Sequence, residues 1–329
     1  MCEQSPATRA QPIVYTLDVQ AEAFQRHDPS QPVVFWDDAA VTRGEAVFES
    51  VLVRAGHAAN LRRHLDRLQR SAQRLDLPVP QRDLWQEVTA VAVADWQQQF
   101  PAGAQVPDAK CTWTYSRGRQ HVGPYAGQQV VQDGQPYAGE QHVGPTPTAW
   151  LVIIPVPDSV LQQRRDGVRA QLAPRGWSTT VGAKTVNYAA TMSALRQARG
   201  FDDVIFVEPA SDALASDASA SAARVLEGAT STVLLVVCDP ASGKRSMVTP
   251  DGDVLAGTTV AAVFDYARDQ GWACENRPVT VAELYQAESV WLVSSVRIAV
   301  RVIDLGGTAL PEPANHEEIR ELIVRALSV

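Results

Sequence analysis

Apolar positions along the first hundred residues switch between two periods. "PIVYTLDV" from Pro12 and "PVVFWDD" from Pro32 are short apolar stretches bounded by Pro and Asp, which predicts strands. "AVFESVLVRAGHAA" predicts a strand running into a turn at Gly56. After Asn60, read as a helix cap, Leu61, Leu65, Leu68, Ala72 and Leu75 recur at helical spacing across "LRRHLDRLQRSAQRLDL". A second helix is expected from Asp83, with Gln86 three residues on as its capping-box partner. "KCTWTYSRG" and "AWLVIIPVP" return to strand.

Between those last strands, QHVGP occurs at 120–124 and again at 141–145, and PYAG also occurs twice. The Gly, Pro and Gln content of 118–147 predicts a long surface loop, either a lid or an insertion without a role. "PVPDSVLQQRRDG" is read as the connection to a second domain. "VRAQLA" and "STTVGA" predict strands, followed by a helix directly after Lys184 and then the strand "DVIFVEP". A small polar excursion spans 210–223, and "RVLEGATSTVLLVVCD" is a strand pair with a turn. "LAGTTVAAVFDYARDQG" enters a helix that ends at Gly271, Thr280 and Glu283 form a capping box, and "SVWLVSSVRIAVRVIDLGG" is strand, bend and strand. An amphipathic helix, "HEEIRELIVRALS", closes the chain. The expected class is mixed α/β (α+β), with an N-terminal α/β domain at 1–155, a linker at 156–166 and a C-terminal domain at 167–329.

Composition narrows the partners. The 329 residues are 45% hydrophobic and 20% charged, with a formal net charge of -8. An acidic chain is not expected to bind nucleic acid or an anionic membrane, although a local basic pocket remains open to a small anion. "MCEQSPATRAQP" lacks the apolar segment of a signal peptide, and no apolar run approaches a membrane span. Cys2, Cys111, Cys238 and Cys274 form no CxxC, and the six His do not cluster at ligand spacing. Reduced thiols, a cytoplasmic location and no metal site are expected.

Of 29 cationic residues only Lys110, Lys184 and Lys244 are lysine. Lys110 and Lys244 read as solvated surface groups. Lys184 precedes an expected helix, where desolvation and the positive end of the dipole both favour the neutral, nucleophilic amine. The residue alone leaves a second reading open, a lysine snorkelling at a helix entry. Three further features gain meaning beside it. Gly257-Thr258-Thr259 opens a helix whose N-terminus would attract an anion. Arg67 stands beside a leucine stripe, with a fork suited to phosphate. Glu227 lies between an apolar strand and a glycine.

Together these pieces resemble the fold-type IV, or class IV, pyridoxal-phosphate enzymes, which include branched-chain and D-amino-acid aminotransferases and aminodeoxychorismate lyases. From about Thr42 to Gly307, "RGEAVFESVLVRAG" is similar to the family's RGDGVFET, "HLDRL" to HxxRL, and "AKTVNYAATMSALRQARGFDDVIFV" to its lysine segment. "LEGATSTV" is similar to EGxxxN, "LAGTT" to PGIT, and "LVSSVR" to a late phosphate contact. The resemblance implies pyridoxal 5'-phosphate in a cleft between a small N-terminal domain and a C-terminal pseudo-barrel, in a homodimer. It implies Lys184 as the catalytic Schiff-base residue and Glu227 as partner of the pyridine nitrogen. Tyr188 would reach the phenolic oxygen, and Arg67, Gly257, Thr258, Thr259 and Ser295 the phosphate. Arg117 and Arg297 are candidates for substrate carboxylates. Glu45-Ala46 replaces Asp-Gly, Thr232 replaces the Asn of EGxxxN, and Val260 follows the PGIT-like stretch in place of Arg. "VSSVR" with "EGATSTV" and "AKTVNY" favours a lyase releasing 4-aminobenzoate and pyruvate, a step toward folate, over a branched-chain or D-amino-acid aminotransferase.

Overall fold

The computed structural model describes residues 10–120, 146–175, 182–208 and 221–327. The chain forms two compact units. The first comprises the described residues up to Val156 together with Lys184–Val186, and the second comprises the rest.

In the first unit the chain runs through β1 (Ile13–Asp18), β2 (Ala23–His27), α1 (Ala39–Thr42), β3 (Ala46–Arg54) and β4 (His57–Ala58). Helices α2 (Leu61–Arg74) and α3 (Arg82–Gln98) follow, then β5 (Ala109–Ser116) and β6 (Ala149–Pro155). The strands pair antiparallel in the order β2-β1-β6-β5-β3-β4. Val47, Val51 and Val53 of β3 point with Trp113 and Leu151 into a core closed by Leu65, Leu68, Trp85 and Trp96 of the two helices. Strand side chains alternate faces, so Glu49 shares the core-facing row with those valines and is fully buried. Strand β4 pairs with the end of β3. Beside the start of β3, Phe48 N–H donates to Lys184 O and Val186 N–H to Ala46 O, both at 3.0 Å, around a Val47–Thr185 bridge.

Several expectations in this unit change. "PVVFWDD" is not a strand: Phe35 and Trp36 are exposed, whereas Asp37 and Asp38 are buried. Asp38 caps Ala40 N–H and Asp37 binds Arg119, so the two carboxylates turn the chain where an apolar reading had it extended. Asn60 does not cap α2 with its side chain; it is left-handed, with φ 54°, and contributes its carbonyl to His64 N–H. Helix α3 begins at Arg82 behind Gln81 and has no side-chain cap. Asp83 therefore lies inside the first turn, where its charge still complements the dipole.

The second unit begins with α4 (Asp158–Asp166), so most of the stretch expected as a linker is helix. Then come β7 (Val168–Pro174), α5 (Ala189–Gln197), β8 (Asp203–Glu208), β9 (Arg224–Gly228), β10 (Thr232–Cys238) and β11 (Arg245–Pro250). Next are α6 (Thr258–Asp269), β12 (Ala273–Arg277), α7 (Val281–Gln286), β13 (Ser289–Ser294), β14 (Ile298–Leu305), β15 (Thr308–Ala309) and α8 (His316–Ala326). Strand order is β12-β11-β10-β13-β14-β7-β8-β9, with β15 on β14. The pairs β11–β12, β14–β7 and β7–β8 are parallel and the others antiparallel. The sheet is curled: β9 leads by a tight turn, closed by Gly228 N–H on Ser231 O, into β10 near the far end of the strand order. Val225, Val233, Leu235, Val290, Leu292 and Val300 fill its core. The capping box at Thr280 and Glu283 is formed as expected.

Most of the repeated-pentapeptide loop, most of "STTVGA" and most of the polar excursion lie outside the described residues. No helix among the described residues is long and apolar enough to cross a membrane.

Candidate active site

In the first unit the site grows from one strand and one helix. His64, Arg67 and Ser71 are spaced i, i+3 and i+7 on α2, and that spacing aligns them on the face that packs against β3. Opposite them stands Glu49. Its Oε1 accepts Arg67 Nε at 2.7 Å and its Oε2 accepts Arg67 Nη2 at 2.7 Å, a two-pronged pair. His64 Nδ1 is 2.7 Å from the same Oε2. Burial would raise the Glu49 carboxyl, but the charge and hydrogen bonds of Arg67, with those of His64, overcome it and hold the carboxyl at about 2. Glu49 is therefore an acceptor, and His64 donates from Nδ1. Burial lowers the proton affinity of His64; Glu49 opposes this, while Arg67 and Lys184 add to it.

Lys184 joins this cluster. Its backbone N–H donates to Ser71 Oγ at 3.0 Å, and its Nζ lies 4.6 Å from the Phe48 ring centroid. The expected helix does not start directly after it. Helix α5 begins at Ala189, so the dipole reasoning does not apply to this amine; pairing with β3 fixes the residue instead. Arg117 belongs to the same unit but is engaged elsewhere, by the Glu45 carboxylate and the carbonyls of Leu75 and Asp76.

In the second unit the groups gather at the entry to α6. Gly257 occupies its N-cap and has no side chain with which to cap the helix. A Cβ on Gly257 would come within 2.5 Å of Thr232 Oγ1, so the approach needs glycine. Thr258 and Thr259 are buried, and Thr259 Oγ1 lies 3.2 Å from Ser295 Oγ. A helix start with two converging hydroxyls is suited to an anion. Glu227 on β9 is tied to this entry, because its Oε2 accepts Leu255 N–H at 3.2 Å. Its Oε1 takes Arg175 at the end of β7, which also donates to Asp253 O. Arg297 sits two residues past Ser295 and binds Asp203 and Gln163. Tyr188 is half-buried at the N-cap of α5, with its carbonyl accepting Met192 N–H.

The first unit carries an amine suited to an aldehyde, and the second, taken by itself, carries a carboxylate beside a cation and a helix start with hydroxyls; these are group types that pyridoxal phosphate requires. The family model for "Amino-transferase class IV" matches residues 46–304. The chain belongs to the class IV aminotransferases. It is 34% identical to a Mycobacterium tuberculosis protein named bifunctional aminodeoxychorismate lyase / D-amino acid transaminase, covering 96% of this chain and 99% of that one. A solved structure described as a hypothetical aminotransferase from Mycobacterium tuberculosis, in a pyridoxal-phosphate-bound form, superposes with a TM-score of 0.77 at 33% identity, over 96% of this chain and 98% of that one. A branched-chain amino acid aminotransferase of Humulus lupulus is 28% identical over 42% of this chain and 30% of its own length. As a class IV aminotransferase this is a pyridoxal-phosphate-dependent enzyme of the aminotransferase and lyase family.

Glu49, His64, Ser71 and Arg175 escaped the sequence reading. Glu49 had a signal, a carboxylate alternating with Val47, Val51 and Val53 in a row that otherwise reads as core. Arg175 had none, because its partner lies 52 residues away.

Proposed function

We propose that the enzyme is an aminodeoxychorismate lyase that also transaminates D-amino acids. The supporting observation is similarity along almost its whole length to a relative named for both activities, whereas the branched-chain relative matches less than half of the chain. Pyridoxal phosphate supplies an aldehyde for the substrate amine and a ring that takes up electrons from the carbon bearing that amine. Lys184 would hold the cofactor through its amine and, when that amine is free, would take the proton from the amine-bearing carbon of the substrate. Glu227, kept beside Arg175, supplies the negative charge for the ring nitrogen. Tyr188 donates to the phenolic oxygen. Arg67, Gly257, Thr258, Thr259 and Ser295 hold the phosphate.

In the lyase direction the bond between the ring carbon and the enolpyruvyl oxygen breaks, the departing enolpyruvate gains a proton at its methylene to become pyruvate, and the ring, having lost its proton at the amine-bearing carbon, aromatises to 4-aminobenzoate. No second substrate is consumed. Arg117 meets a substrate carboxylate by exchanging its Glu45 partner, in a homodimeric enzyme that feeds folate synthesis. The test is pyruvate release from aminodeoxychorismate by cofactor-loaded protein without added keto acid. Pyruvate and 4-aminobenzoate in equal amounts over many turnovers support the lyase. Turnover only of amino acids with a keto acid acceptor replaces it with a transaminase. Sedimentation of the purified chain tests the homodimer.

A further inference from the structure

The turn between β13 and β14, 294–298, carries Ser295 and is held by more than its own strands. Arg297 forms an ion pair with Asp203, which is 1% exposed at the start of β8. Its Nε and Nη2 donate to Gln163 Oε1 at 3.1 and 2.9 Å. The neighbouring Arg164 donates to Val296 O. Gln163 and Arg164 both lie in α4, the segment that the sequence presents as a linker. Arg297 N–H also approaches Ser294 Oγ at 3.4 Å, which closes the turn on itself.

The turn needs holding. Ile298 has φ +66°, a left-handed conformation that crowds a β-branched side chain. Such a residue persists only where its surroundings determine it. Arg297 within the turn, bonded to Asp203 and Gln163, and Arg164 from α4, bonded to Val296 O, supply that constraint. What the constraint positions is Ser295 Oγ, 3.2 Å from Thr259 Oγ1 at the first turn of α6.

We infer that Arg297, Asp203, Gln163 and Arg164 form a clamp that positions Ser295 for the cofactor phosphate, and that Arg297 serves this turn and not a substrate carboxylate. The clamp rests on the assignment of Ser295 and Thr259 to the phosphate. Its residues act through the turn and touch no reacting atom. Arg297 is neutralised by Asp203 and has Gln163 on its remaining face, so a substrate carboxylate would have to displace a buried ion pair.

The experiment is a titration of apoprotein with pyridoxal phosphate and, separately, with pyridoxal, which lacks the phosphate. Arg297→Lys keeps the charge but loses the fork, and Arg164→Met removes the bond to Val296 O while leaving the Arg297–Asp203 pair. Each is expected to weaken pyridoxal phosphate by about 10-fold, the scale of one charge-assisted hydrogen bond, and pyridoxal by less than about 2-fold. Equal weakening of both ligands with a lowered melting temperature would make the clamp merely structural and overturn the inference. Unchanged discrimination with a raised substrate KM in Arg297→Lys would return Arg297 to the substrate. Ser295→Ala is run alongside. If wild type and Ser295→Ala discriminate the two ligands equally, the phosphate assignment itself falls and the clamp falls with it. If only the clamp variants fail to respond, the assignment stands and the clamp alone is rejected.

Discussion

Glu49 and Glu227 are both carboxylates gripped by an arginine, but in different media. Glu49 is completely buried, with both oxygens taken by Arg67 and one shared with His64. The Glu227 and Arg175 side chains keep 22% and 20% of their surface exposed, and the carboxylate shares itself with a backbone N–H. Removing one partner from a dry pair strands a charge, whereas water can replace a partner at a half-open one. The first pair is therefore bound up with the stability of its unit. The second can be altered chemically while the fold survives.

Lys184→Ala sharpens the comparison most, because it removes the amine to which the proposed function gives the chemistry. Turnover is expected to fall by about 10⁴-fold. Borohydride reduction of the cofactor-loaded protein should then leave no adduct on the peptide spanning residue 184. An adduct persisting on the variant would move the attachment to another lysine. Glu49→Gln comes next, with an expected loss of about 3–5 kcal/mol in denaturant unfolding as Arg67 is left buried without its counter-charge. Glu227→Gln is expected to lose less than about 1 kcal/mol of stability but about 10²-fold in turnover. If the two substitutions cost equal stability, the distinction between them fails.

Acid provides a graded version of the same comparison. The native Glu49 carboxyl lies below its ordinary value of 4.5 and the native His64 below its ordinary 6.5, so the unfolded chain binds more protons than the native one. The stability from His64 is complete above pH 6.5 and declines below it. That from Glu49 is complete above 4.5 and is lost toward about 2. Melting temperature should fall along this window, and the part of the fall below pH 4.5 should shrink in Glu49→Gln. The smallest expected effect is Thr280→Ala, about 1 kcal/mol from loss of the capping box at α7, with turnover unchanged.

The periods of the chain made most elements of both units legible, because alternation and leucine stripes report burial directly. Motif order made the family legible, and the roles that it suggests for Lys184, Arg67, Glu227 and the entry to α6 stand as proposals. What stayed hidden depends on contacts between residues far apart in sequence. Arg175 meets Glu227 only because β7 ends near the loop before α6. The boundary between the units falls at the start of the stretch read as a linker, 156–166, and what its polar sequence did not show is that most of it is α4, with two side chains that reach 132 to 134 positions onward. "PVVFWDD" misled by its apolar half, when its two aspartates decided the backbone.

The pairing of Lys184–Val186 along β3 also sets an order of events during synthesis. Until those residues leave the ribosome, the front of β3 is an unpaired edge beside a nearly complete hydrophobic core, a known hazard for adventitious strand pairing. A nascent chain halted at Val156 would display that edge, and one extended past Val186 would cover it. Lys184, the residue proposed to hold the cofactor, thus arrives as the closing piece of the first sheet.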